Sequence, residues 1–447
     1  MDLVREYSRL LDNAFAQALE SGCGPAEVEA IKARAAALGK PTDAATRRAM
    51  DAFVDEIEAL VARDDFPYDE PSGLDAIIAV RPTPLPGPAA LPDETVLRDK
   101  MLGAWIGRIA GCMQGKPVES WAKERIEETL KAHKAWPLND YFPYFHEQPK
   151  EAKDHLENLP PKDCFRGHIT RGVTDDDTNY TILGLKVLEQ KGRGFAPLDV
   201  AHAWLKWLPY LETYTAERAA YRNFINGLEP PESARYRNPF REWIGAQIRA
   251  DIWGWVNPGD PATAAEYAWR DASISHTKNG IYGEMFFAAA MAQAFVTDDI
   301  TEIIQTGLNA IPSKCRLAEA VKHMVEWCEG VKAADWETVH RQILDYCGDM
   351  NWVHTINNAM IVLMGLLLGR GDFTASISIA VMGGLDTDCN GATAGSIAGT
   401  VLGAAALPKN FAGPLNDTLE STVQGEYSNP ISALAERTLA FALKKGN

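Results

Sequence analysis

Two short acidic runs hold the residues best suited to chemistry. Asp386-Thr387-Asp388-Cys389-Asn390 follows Gly383-Gly384, and its two carboxylates stand two positions apart. Oxygen donors clustered in this way bind hard divalent cations, and the preceding glycines give a ligand room to approach the backbone. Far upstream, Asp175-Asp176-Asp177-Thr178 also sits directly before an apolar stretch of helical length. Either run alone is better explained as a helix N-cap, the ordinary role of acids at a helix start. Together they offer two acidic helix starts that can converge on one metal site.

The elements that must position these acids are rich in glycine. Asp99 to Glu119 reads as a helix with Gly103, Gly107, Gly111 and Gly115 at four-residue spacing, ending at Pro117 and a carboxylate. After the second acidic run, Gly391, Gly395, Gly399 and Gly403 repeat the same spacing. Glycine costs about 1 kcal/mol against alanine within a helix, so a stripe of it implies close backbone packing. In this order, the glycine-striped helix closing in Glu119, the Asp-rich helix start at 175–178 and the Gly-Gly-Leu-Asp-Thr-Asp start at 383–388 resemble the ADP-ribosylglycohydrolase family. The resemblance runs from about Asp99 to Pro408.

That resemblance implies an all-α orthogonal helical bundle, here with an N-terminal helical extension, and two Mg²⁺ or Mn²⁺ ions in a central cleft, with Ca²⁺ a third option. It assigns Asp175, Asp176, Asp177, Asp386 and Asp388 as metal ligands, and Glu119, Asp176 and Asp177 as the catalytic carboxylates. Asp175 stands where the family usually has threonine, Cys389 where it has Thr or Ser, and Cys112 where many members have Asp. A thiol is a poor partner for Mg²⁺. Gly383, Gly384, Cys389, Asn390, His276 and His354 are the expected substrate contacts. The two histidines belong to segments reading Ser275-His276-Thr277 and Val353-His354-Thr355, although a helix-start histidine is more often a structural hydrogen-bonder.

The rest of the chain sets limits. Its 447 residues carry a net charge of -17, against any nucleic-acid footprint. No segment is long and apolar enough to span a bilayer, so a cytoplasmic location without membrane partners is expected. Seven scattered cysteines without metal-ligand spacing suggest reduced thiols. Residues 1–95 read as a helical extension followed by a proline-rich linker through Pro67 to Pro92, and residues 96–447 as the main helical domain; the extension suits either a lid or a homodimer contact. A proline- and aromatic-rich insertion interrupts the helices at about 136–170. Trp204, Trp207, Tyr210, Tyr214, Tyr221, Trp253 and Trp255 read as core, with one or two able to stack on a base or sugar ring. The expected activity is metal-dependent hydrolysis of an N- or O-glycosidic bond in a ribosyl, ADP-ribosyl or related small sugar substrate. Small molecules and ADP-ribosylated protein both remain open as substrates. The alternative is a non-catalytic, crystallin-like or merely metal-binding member.

Overall fold

The computed structural model describes residues 3–39, 43–145 and 161–444; residues 146–160 of the expected insertion lie outside them. The fold is all-α, and its one sheet among the described residues is a two-stranded antiparallel ribbon, β1 (Thr418–Glu420) with β2 (Ser428–Pro430).

The N-terminal region holds three helices, α1 (Leu3–Glu20), α2 (Pro25–Leu38) and α3 (Ala44–Glu58). They bury their own apolar cluster, which includes Phe15, Val28, Ile31, Val54 and Ile57. This cluster meets the remainder of the chain through Phe240 and a set of ion pairs, Arg237 with Asp51 at 3.0 Å and with Asp55 at 2.8 Å. The proline-rich stretch that follows is extended except for one short helix, Leu74–Ala79, whose Ile77 is fully buried. Its Glu70 pairs with Arg316 at 2.8 Å, which anchors the stretch to the body.

Within the body, six helices matter most for function: α4 (Glu94–Gly115), α5 (Asp176–Lys191), α6 (Asn279–Ala294), α7 (Thr355–Gly369), α8 (Phe373–Met382) and α9 (Thr387–Leu402). Every residue of α6 is buried, as expected of a helix that is apolar all round. Helices α4 and α9 run antiparallel at backbone contact. A Cβ on Gly107 would lie 2.1 Å from the Gly395 carbonyl, and one on Gly111 would lie 1.8 Å from that of Gly391. The two glycine stripes therefore exist to let two backbones touch. At the site end of the pair, the Thr387 hydroxyl donates to the Gly115 carbonyl at 2.8 Å, which fixes the start of α9 against the end of α4.

Candidate metal centre

Three helix ends meet at one place. Helix α4 ends at Gly115, followed by Lys116-Pro117-Val118, and Pro117 lacks the backbone donor needed to continue it. The chain then turns outward at Glu119, and Ser120 takes a left-handed φ of 66°. Facing this turn, Gly384 and Leu385 have φ of 76° and 65° just before Asp386. Gly384 cannot be replaced without collision, because a Cβ there would lie 2.6 Å from the Trp121 carbonyl. The two turns clasp each other: Ser120 N–H donates to the Leu385 carbonyl at 2.9 Å, and Leu385 N–H to the Trp121 carbonyl at 3.2 Å. A left-handed, non-glycine residue such as Leu385 is strained, and strain of this kind persists where surrounding contacts over-determine it. Here it sets Glu119 beside Asp386 and Asp388, with ligand oxygens all within 4.8 Å of one another.

The other acidic run reaches the same place from α5. Asp175 caps this helix, its Oδ1 accepting from Asp177 N–H at 3.0 Å, whereas the Asp386 carboxylate makes no capping bond to α9. The N-cap explanation thus holds for Asp175 and leaves Asp386 unexplained. Asp177 forms two further groups within the same 4.8 Å limit, one with Asp388 and Cys389 and one with Asp175 and Cys112. Asp177, Asp386 and Asp388 are buried, Asp176 is half-buried and Glu119 is exposed. Asp177 Oδ2 and Asp388 Oδ1 are buried without a hydrogen-bond partner among the described residues.

So many carboxylates in one place raise one another's affinity for protons. Burial, with the Asp175 charge, raises Asp388 to about 6. Glu119 is pushed well above its usual range, chiefly by Asp388. Burial raises Asp176, Asp177 and Asp386 in the same direction, and neighbouring carboxylates add to it. Asp175 alone is lowered: burial pushes it up, but the Lys116 ammonium and the hydrogen bonds from Lys116, Asp177 N–H and Asp176 together outweigh burial. Clustered anions are costly without a counter-charge, so these oxygens suit a divalent cation.

Four supporting residues were not singled out from sequence. Lys116 ion-pairs with Asp175 Oδ2. Arg108, fully buried in the glycine stripe, reaches Asp177 at 3.1 Å and Asp251 at 2.7 Å; a charge amid glycines was the signal. Asn358 on α7 uses Oδ1 to accept from Asp386 N–H at 3.2 Å and from the Asn390 amide at 2.8 Å, so Asn390 belongs to the scaffold of the acidic helix start. His340 bonds through Nε2 to the Gly383 carbonyl at 2.9 Å.

The remaining expected contacts have partners of their own. The close approach at Gly384 is made by the Trp121 backbone, and a Cβ on Gly383 would meet Ile361 and Ala380. His276 is buried, 2.8 Å from the Ser275 hydroxyl, in a cluster around Arg249 that also contains Glu217, Asp271 and Glu284. His354 caps α7, its Nδ1 accepting from Ile356 N–H at 3.1 Å, while Nε2 lies 3.6 Å from Glu20 of the N-terminal region. Of the expected aromatic residues, Trp204, Trp207, Tyr221, Trp253 and Trp255 are buried. Tyr214 is 49% exposed, and its hydroxyl is raised to about 12 by partial burial and by the Asp176 charge.

Among the described residues, no helix is long and apolar enough to cross a membrane. No curated protein matches the chain. A solved structure titled "ADP-ribosylglycohydrolase-related protein complex" is similar at 20% identity, covering 78% of this chain and 98% of its own, with a TM-score of 0.46. The sequence profile of the ADP-ribosylglycohydrolase family matches residues 93–445, the span that supplies every carboxylate of the cluster, and the chain belongs to that family.

Proposed function

We propose that the protein is a metal-dependent glycoside hydrolase that cleaves an N- or O-glycosidic bond at the anomeric carbon of a ribosyl or ADP-ribosyl compound. The observation that carries this reading is the meeting of Glu119, Asp386 and Asp388, whose oxygens lie within 4.8 Å of one another, with the unpartnered Asp177 and Asp388 oxygens beside them. Family membership supports hydrolysis of a glycosidic bond. We also divide the chain into residues 1–95, an extension that docks on the body, and residues 96–447, which form the hydrolase domain.

When bound, a Mg²⁺ or Mn²⁺ ion orients a ribose diol and lowers the pKa of a coordinated water. Glu119, Asp386 and Asp388 would hold it. The protein's own residues do the rest. Departure of the leaving group builds positive charge on the sugar, and the fixed carboxylates of Asp177 and Asp388 stabilise it. Glu119 and Asp176, the least buried acids of the group, position water and take its proton. Neighbouring carboxylates and burial raise Glu119, and burial with neighbouring carboxylates raises Asp176, which strengthens both as proton acceptors. Tyr214 offers an exposed ring on which a base or sugar can stack. Cys389 and Asp175, where the family carries hydroxyl residues, favour a small-molecule substrate over modified protein.

The test is hydrolysis of a panel of ribosyl and ADP-ribosyl compounds with Mn²⁺, with Mg²⁺ and with EDTA, using the wild-type chain and Asp386→Ala. Metal-dependent release of the free sugar, lost in Asp386→Ala with the helical spectrum intact, is expected. Turnover retained in Asp386→Ala would overturn the assignment. Absence of turnover together with absence of metal binding would place the chain among non-catalytic members.

A further inference from the structure

We infer that this centre holds one divalent cation, between Glu119, Asp386 and Asp388, and that the Lys116 ammonium occupies the place of a second. The inference rests on the metal-binding reading above and concerns how many ions the centre takes.

Three observations lead to it. The first is donor chemistry. Of the three groups of converging ligands, only Glu119, Asp386 and Asp388 present oxygen alone. The other two include the buried thiols of Cys112 and Cys389. A neutral thiol is a poor ligand for a hard cation.

The second is occupancy of the carboxylates. Asp175 spends Oδ1 on the Asp177 N–H and Oδ2 on Lys116. Asp177 gives Oδ1 to Arg108 at 3.1 Å. Both Asp175 oxygens and one of the two Asp177 oxygens are therefore already bonded to the protein's own cations and donors, which leaves Asp177 Oδ2 as the one unpartnered oxygen of this pair.

The third is charge. The Lys116 side chain is about one-fifth exposed and ion-pairs with Asp175, which lies with Asp177 and Cys112 in one group of ligand atoms within 4.8 Å of one another. It stands inside the cluster and not on its rim. A second dication there would face the like charge of the ammonium at close range. The exchange also balances in sequence: Asp175 adds a carboxylate where the family carries threonine, and Lys116 supplies its counter-charge.

Equilibrium Mn²⁺ titration of the full chain, with calorimetry for the count and electron paramagnetic resonance for the environment, decides the matter. One Mn²⁺ per chain with the spectrum of an isolated ion is expected, rising to two in Lys116→Met. Two ions per wild-type chain, or a spin-coupled pair, would overturn the inference while leaving the metal-dependent reading in place. A Lys116→Met chain that still binds only one would also overturn it. No Mn²⁺ bound at all would remove both. The wild-type count and spectrum require no variant, so a misfolded Lys116→Met chain leaves the test standing.

Discussion

Gly111→Ala sets helix propensity against packing, and the two predict opposite signs. Propensity alone makes alanine about 1 kcal/mol better than glycine inside a helix such as α4. Packing predicts a loss. The new Cβ would stand 1.8 Å from the Gly391 carbonyl oxygen and 2.4 Å from its carbon, where real contacts need at least about 3 Å. Both groups are backbone, so no rotamer change relieves the clash, and α4 and α9 must separate by roughly 1 Å. Overpacking of this kind costs about 1–3 kcal/mol and more when it moves backbone, which outweighs the propensity gain. The same displacement carries Glu119, beyond the end of α4, away from Asp386 and Asp388 at the start of α9. Denaturant unfolding should show a net loss on the order of 2 kcal/mol, and Mn²⁺ affinity should fall in parallel. Gly194→Ala, at an exposed glycine with open space around its Cβ position, should change neither. If Gly111→Ala matched or exceeded the wild type in stability, the contact between the helices would be refuted.

Four further outcomes follow from the charges and the exposed ring. Burial raises the Glu217 carboxyl from 4.5 to about 7 despite its 2.9 Å pair with Arg249. Its folded pKa exceeds its unfolded one, so its contribution to stability is complete below pH 4.5 and is lost as pH rises through about 7. Glu217→Gln should therefore raise stability at pH 8 by on the order of 3 kcal/mol relative to pH 4.5, measured as the difference between wild-type and variant unfolding curves. Glu20, raised to about 7 by burial, has the same sign and should give a second, separable share. Asp386→Asn should melt higher than wild type in EDTA at pH 8, by on the order of 1 kcal/mol, because one crowded carboxylate is gone, yet lose the stabilisation that Mn²⁺ gives. Tyr214→Ala should raise KM several-fold with a smaller change in kcat if the ring stacks on substrate; an unchanged KM would remove it from the binding site.

Much of the fold was legible because it rests on local rules. The glycine stripes implied backbone contact, and α4 meets α9 through them. The proline run from Pro67 to Pro92 predicted an extended arm, broken in fact by a short helix that buries Ile77. Asp175, weighed as a cap as well as a ligand, does cap α5. What sequence could not supply were pairings across long separations. Lys116 meets Asp175, and Asn358 meets Asp386, through tertiary contact that no spacing encodes. The two histidines show the same limit: His276 and His354 both sit at polar helix starts, yet one joins the buried Arg249 cluster and the other faces Glu20 of the N-terminal region. Burial likewise separated Tyr214 from its aromatic neighbours, which an irregular stretch of chain gives no periodicity to predict.

Glu119, Asp386 and Asp388 are proposed to form a cation site at which a ribosyl compound is cleaved. The most direct test is a crystal grown with Mn²⁺ and ADP-ribose, with anomalous scattering recorded at the manganese edge. An anomalous peak bonded to those three carboxylates, with the ribose diol directed at it, is the predicted result. A structure with no manganese at Glu119, Asp386 and Asp388, or with ADP-ribose bound away from them, would contradict the claim.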